Sequence, residues 1–163
     1  MGERYVRAVI KRMTSPLVLA LFIGLAIGQQ GYQSNLDDKK IVTDLTLAAE
    51  RHHVGVEVAG QYADLSAVDG PLIAVHPDLT YRFQLPHAFT VLAGAGPSFV
   101  RVGSTVTETT WNAFGELGYV WHSTEFFTRV RHFDFSISET RAGESGPSGP
   151  VISVGARYRF SGR

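Results

Sequence analysis

The sequence predicts an all-β protein, an antiparallel up-and-down β-barrel that crosses a membrane. Three observations carry that expectation. The last stretch, Pro150 to Phe160 (PVISVGARYRF), divides without exception into an apolar set, Ile152, Val154, Ala156, Tyr158 and Phe160, and a polar or small set, Ser153, Gly155, Arg157 and Arg159, as a strand with alternating faces requires. Six earlier stretches repeat this alternation, with lengths near or above the roughly 9 to 11 residues that a tilted strand needs to cross a bilayer. The aromatic residues are also banded by height: Phe83, Phe89, Trp121, Phe127, Tyr158 and Phe160 fall near the short connections, and Tyr62, Phe99, Trp111 and Phe135 towards the long ones. Two such bands read as interfacial girdles. A soluble or anchored periplasmic β-sandwich, the alternative architecture, has no reason to band its aromatics.

The 163 residues carry equal numbers of acidic and basic side chains and no cysteine, which excludes disulfide staples, thiolate metal sites and a Cys nucleophile. Arg4, Arg7, Lys11 and Arg12 open the chain, the apolar run Pro16 to Ile27 (PLVLALFIGLAI) follows, and Ala26-Ile27-Gly28 supplies a small-x-small site. This pattern predicts an N-terminal signal helix, with a signal peptide over residues 1–28 and a barrel domain over 29–163. The run is shorter than the about 20 apolar residues of a spanning helix, and no charged stop-transfer cluster follows it; an uncleaved anchor is the alternative. Without residues 1–28 the chain has 11 basic and 14 acidic residues, a net charge of −3. It has no basic stripe, so nucleic acid is not an expected partner.

The strands follow in order. Ile41 to Glu50 sets Thr43, Leu45, Leu47 and Ala49 against Asp44, Thr46 and Glu50, and Val54 to Asp64 sets Val54, Val56, Val58 and Tyr62 against Gly55, Glu57, Ala59 and Gln61. Leu72 to Phe83 opposes Ile73, Val75, Leu79, Tyr81 and Phe83 to His76, Asp78, Thr80 and Arg82. Ala88 to Val102 turns Phe89, Val91, Ala93, Ala95 and Phe99 outward, and Thr110 to His122 turns Trp111, Ala113, Leu117, Tyr119 and Trp121 away from Asn112, Glu116 and His122. Phe126 to Ser138 is less regular: Phe127, Phe133, Phe135 and Ile137 share their parity with Arg129 and Arg131, which predicts Arg129 near the headgroups and Arg131 snorkelling or on a bulge. Pro77 and Pro97 lack amide hydrogens inside neighbouring strands, about three rungs apart, so a bulge or local widening is expected there. Short connections (51–53, 84–87, 122–125) alternate with longer ones (65–71, 103–108, 139–149), as when turns face the periplasm and loops the exterior.

From the run NLDDKK (35–40) onward the chain resembles the small outer-membrane β-barrel domains, related in architecture to the outer membrane protein A transmembrane domain and the opacity-type, porin-like adhesins. The resemblance rests on the leader, the hairpin order, the Ala93-Gly94-Ala95-Gly96 strand, Arg129 with Asp134 and Phe135, and the closing Tyr158-Arg159-Phe160, which Ser161-Gly162-Arg163 extend beyond the usual ending. It implies the bacterial cell outer membrane, outer-membrane lipid around the barrel, insertion by the barrel assembly machinery, and a structural or adhesive role. It implies eight strands, yet only seven are clear, the first being missing or very short. The strands at 41–50 and 151–160 are then expected to be the sheet edges, pairing directly in a strained seven-strand closure or standing open as a gap that invites self-association. Three things could cover such a gap: the run Leu17 to Ile27 kept as a strand, a second copy, or sequence upstream of this start.

The inward set is unusually titratable: Asp44, Glu50, Glu57, Asp78, Glu116 and Asp134 against Arg82, Arg157 and Arg159, with His76, His122 and His132. An eight-strand barrel holds only its own side chains, so these groups are expected to pair and fill the lumen, leaving no open pore. Counting from the turn at Ser123 sets Glu116 opposite His132 and brings Arg157 close. Val130 to Ser136 also resembles faintly the active strand of barrel-type lipid A deacylases, an alternative function. Its nucleophile position is Asp134 here, Ser136 lies four beyond His132, and all three have inward parity, so no enzyme is expected. His52, His53, His87 and His122 fall at turns; a zinc or copper rim is conceivable chemistry, but no ligand pair stands out. Gly94-Ala95-Gly96 lacks the Lys and helix of a phosphate loop. The expectation is no catalytic residue, cofactor or metal site.

Overall fold

The computed structural model describes residues 20–30, 40–64, 71–103, 106–133 and 149–161. They form eight antiparallel strands: β1 (Ala20–Gln30), β2 (Lys40–Arg51), β3 (Val54–Ala63), β4 (Leu72–Gln84), β5 (Phe89–Val102), β6 (Val106–Trp121), β7 (Thr124–Phe133) and β8 (Gly149–Ser161). Each pairs with its sequence neighbours, and β1 closes the barrel on β8. The two-residue turns 52–53 and 122–123 and the connection 85–88 lie at one end, and the connections 31–39, 64–71, 103–105 and 134–148 leave from the other. Because β6 begins at Val106, the third of these is shorter than expected.

The strand count corrects the sequence reading. The expected seam does not exist, because β1 lies between β2 and β8 and pairs with both along its whole length, from Ala20↔Glu50 to Gln30↔Lys40 and from Ala20↔Ser161 to Gln30↔Val151. Neither seven-strand closure nor an open edge remains. The polarity pattern missed β1 because it alternates in size: Leu21, Ile23, Leu25 and Ile27 face outward, while Ala20, Phe22, Gly24, Ala26 and Gly28 face inward. The small inward residues are required by their neighbours. A Cβ at Gly24 would lie 2.6 Å from Thr46 Oγ1 and 2.8 Å from Arg157 Cβ. Residues 20–28, which the sequence reading places at the end of a leader, form most of the first strand here. The basic start of the leader, residues 1–19, and most of the NLDDKK run lie outside the described residues.

The remaining strands alternate as expected, with one exception. On β7 the inward residues are Glu125, Phe127, Arg129 and Arg131, and the outward ones Phe126, Thr128, Val130 and His132. Arg129 is therefore not at the headgroups and Arg131 needs neither snorkelling nor a bulge; both are buried in the lumen. Phe127 leaves the aromatic girdle for the interior. The outer wall is otherwise a predominantly apolar belt, banded by Tyr81, Phe83, Tyr119, Trp121, Tyr158 and Phe160 near the short turns and by Tyr62, Phe99 and Trp111 towards the other end. Trp111 is 76% exposed. Such a belt is far larger than the apolar patches soluble monomers carry, and it matches the hydrocarbon-facing wall of a membrane barrel.

The prolines disrupt one ladder, though differently from expectation. The β4–β5 register runs from Leu72↔Val102 to Val75↔Phe99 and resumes unshifted from Leu79↔Ala95, so Pro77 stands directly opposite Pro97. Neither can donate, and the rung between them is lost without a bulge. Gly96 brings its Cα against Pro77 O, where no Cβ would fit, and the Asn112 amide donates across to Gly96 O at 3.0 Å. An interior side chain thus supplies a bond where the backbone cannot.

Candidate functional site

The chemistry of the chain is concentrated inside the barrel. Arg129, 1% exposed, is the hub. Its Nη1 and Nη2 donate to Glu57 Oε1 and Oε2 at 2.6 and 3.0 Å, and its Nε and Nη2 donate to Glu116 Oε2 at 3.0 and 2.7 Å. Arg157 joins the same Glu116, with Nη2 on Oε1, and donates from Nε to Glu125 Oε2 at 2.7 Å. Glu125 in turn accepts from Thr90 and from Arg82 Nη1 at 2.7 Å, and Arg82 Nε reaches Glu50 at 2.6 Å. On the other side of the hub, Arg131 Nη1 donates to Asp78 Oδ2 at 2.8 Å and to Asn112 Oδ1 at 2.6 Å. The chain of pairs spans β2 to β8 around the lumen.

Charges this deeply buried are tolerable only when paired and hydrogen-bonded, and the aromatic residues complete the packing. Arg129 lies over the rings of Phe114 and Phe127, at 4.2 and 5.3 Å from their centroids, and Arg131 over Phe114 at 4.7 Å. Phe22, the one large inward residue of β1, receives Arg82 at 5.1 Å and Arg157 at 5.8 Å. Rings in contact with guanidinium faces leave the N–H edges free for carboxylates. The network blocks the middle of the lumen. Towards the long-connection end it gives way to a row without arginine: Asp44 faces its cross-strand partner Gln61, whose Oε1 lies 3.4 Å from His76 Nε2, and His76 Nδ1 lies 2.6 Å from Ser98 Oγ.

The expected inward set is largely brought together. Asp44, Glu57, Asp78, Arg82, Glu116, Arg157 and His76 are all buried in the lumen, Glu50 joins them through Arg82, and Arg159 and His122 stand at the short-turn mouth. Glu116, however, pairs with Arg129 across the ladder, and His132 pairs with Ala113 and faces outward. Asp134, Phe135 and Ser136 lie outside the described residues. Sequence reasoning missed Arg129, Arg131 and Glu125, which share one parity on β7; that common parity was the available signal, masked by the phenylalanines at 127, 133 and 135. Among the described residues the turn histidines form no metal-binding group. His53 stacks on Tyr81 and approaches Arg82 O at 3.0 Å, and His122 meets the edge of Trp121.

No family model matches the sequence, nor does any curated protein. Solved structures do match. Neisserial surface protein A (NspA) aligns with a TM-score of 0.66 at 13% identity, over 87% of this chain and 97% of that one. The chain has the architecture of the small outer-membrane β-barrels. Two further outer-membrane-type barrels bracket the range of uses: the outer membrane enzyme PagL, with a TM-score of 0.53 at 14% identity over 85% of this chain and 98% of that one, and Ail, the attachment invasion locus protein of Yersinia pestis, with a TM-score of 0.51 at 15% identity over 88% and 98%. Identity this low makes the likeness one of fold. For an outer-membrane barrel the apolar belt is the lipid contact, and a lumen of paired charges is a core.

Proposed function

We propose that the protein is a bacterial outer-membrane barrel with a structural or adhesive role, in which a plugged lumen makes a rigid platform for the connections at its long-loop end. The carrying observation is the buried Arg129 hub, held by Glu57 and Glu116 from two other strands. Side chains so engaged have no freedom to conduct or to react, which leaves recognition to the connections around 65–71, 103–108 and 139–149. Lipid surrounds the wall, the barrel assembly machinery inserts it, and no cofactor or metal is needed. Ail, named for attachment, lends support to the adhesive side of this reading. The purified protein is expected to migrate faster in unboiled than in boiled detergent gels and to show no discrete channels in planar bilayers. Cells displaying it should lose attachment when residues 139–148 are replaced by a Gly/Ser linker. A boiling-independent band sinks the barrel, channels sink the plug, and unchanged attachment sinks the adhesive role.

His132 favours one second reading, a hydrolase acting on lipid A. It stands on the outer wall opposite Pro150, and Pro150 borders an apolar groove formed with Ile27, Gln29, Ile41, Ile152 and Val154. Against it, the residue two beyond His132 is Asp134, where the resemblance needs a serine. Mass spectra of lipid A are expected to be the same with and without expression. Loss of an acyl chain that is abolished by His132→Ala would replace the adhesive reading with the hydrolytic one.

A further inference from the structure

The short-turn mouth opens into a cavity of ≈ 270 Å³ that the lumen network does not occupy. Its walls are part apolar, from Phe22, Leu85 and Val120, and part charged. The charges are unequally engaged. Glu50 is held by Arg82 at 2.6 Å, and Glu125 by Arg82 and Arg157, each at 2.7 Å, so both carboxylates are satisfied. Arg159 makes no ion pair among the described residues. Its guanidinium carbon lies 5.8 Å from the Phe22 centroid, a contact that engages the charge and none of the N–H donors. Ser123, Thr124 and Gln84 add further donors to the same wall.

The rim supplies an independent observation. Each short connection places one residue with left-handed backbone on the cavity: His52 at φ 59°, Ala88 at φ 64° and His122 at φ 57°. Two-residue hairpin turns ordinarily meet this demand with Asn or Gly, and non-glycine residues held there carry strain that concentrates at ligand sites. Here three turns converge on one opening with side chains where glycine would be easier.

We propose that this mouth binds a small monocarboxylate with an apolar body. Arg159 takes the carboxylate through its paired N–H edge, and the Phe22 and Val120 side takes the body. Among the described residues that line the cavity, Arg159 is the one unpaired cation, which suits a monoanion; a phosphate dianion would bring its second charge beside Glu50 and Glu125, whose arginine partners are already engaged. The volume lies just below the usual range of small-molecule pockets, about 300–1,000 Å³, and restricts the guest to a single ring or short chain. This site is separate from the long-loop end and holds whichever reading of that end is correct.

Benzoate titrated calorimetrically into the folded full chain in detergent micelles tests the proposal, with benzamide as its uncharged twin and inorganic phosphate as the competing anion. Benzoate is expected to saturate one site and to shift the ring signals of His52 and His122. Benzamide and Arg159→Gln should each weaken binding by about tenfold or more, the loss of a charge-assisted hydrogen bond, with Arg159→Lys in between. Arg101→Gln, at the opposite end of the barrel, should change nothing. Heat-modifiable migration checks that each variant is folded, and the benzoate–benzamide comparison on the unaltered chain needs no variant. Absence of saturation, equal binding of benzamide, tighter binding of phosphate, or indifference to Arg159 would each overturn the proposal.

Discussion

Replacing Arg129 with Ala is expected to lower the unfolding free energy by about 3–5 kcal/mol, the range for breaking a buried ion pair from one side. The loss is large because one side chain serves two carboxylates. Without it, Glu57 and Glu116 sit buried and face one another with only Arg157 and Arg131 left to share between them, and the rings of Phe114 and Phe127 lose the group between them. Urea unfolding followed by gel mobility measures the change. Arg129→Lys should recover only part of it, because an ammonium cannot repeat the two-edged contact. Arg129→Met combined with Glu57→Gln should be milder than Arg129→Ala, since it removes charge from both sides of the pair. A loss below about 1 kcal/mol for Arg129→Ala, the value of an exposed pair, would show that the hub is not buried as described.

A chain beginning at Gln29 should not form the barrel at all. It lacks nine of the eleven residues of β1, so β2 and β8 both lose their partner and present unpaired backbone to hydrocarbon. Each unsatisfied amide or carbonyl costs several kcal/mol there, and summed over a strand this exceeds the whole stability of a small domain, about 5–15 kcal/mol. Expressed from Gln29, the chain is expected to give no heat-modifiable band, whereas a chain beginning just before Ala20 should give one. N-terminal sequencing of the protein from membranes then decides how residues 1–28 are processed. A mature terminus at Gln29 in a heat-modifiable protein would overturn the eight-strand closure through β1.

The contrast between β1 and β7 shows what was legible in the sequence. Strands with polar inward residues, such as Val54 to Ala63, declare both faces, and their registers follow from the turns. β1 has no polar face, because its inward positions are kept small to admit Thr46 and Arg157 from either side; hydropathy alone cannot separate it from a leader core, but alternation of large and small can. On β7 the error was of face. Phe127 seemed to mark the lipid side, yet a guanidinium-rich lumen also takes aromatic rings, so an aromatic is an ambiguous marker wherever arginines share its parity. The sequence sets the two prolines on neighbouring strands about three rungs apart, and only the register shows that they meet. The candidate site was readable as a pool of charges, while its partners depended on long-range geometry: Arg129 and Glu57 are 72 residues apart in the chain.

The composition of β1 also bears on the order in which the wall is assembled. Every charged partner in the lumen comes from β2 to β8, and β1 contributes only the ring of Phe22. The ion pairs can therefore gather within a curved sheet of seven staves before the circle is complete. The β1 stave lies in a slot shaped by Thr46 on one flank and Arg157 on the other, and its own eleven residues carry no charged side chain that closing the circle would have to pair.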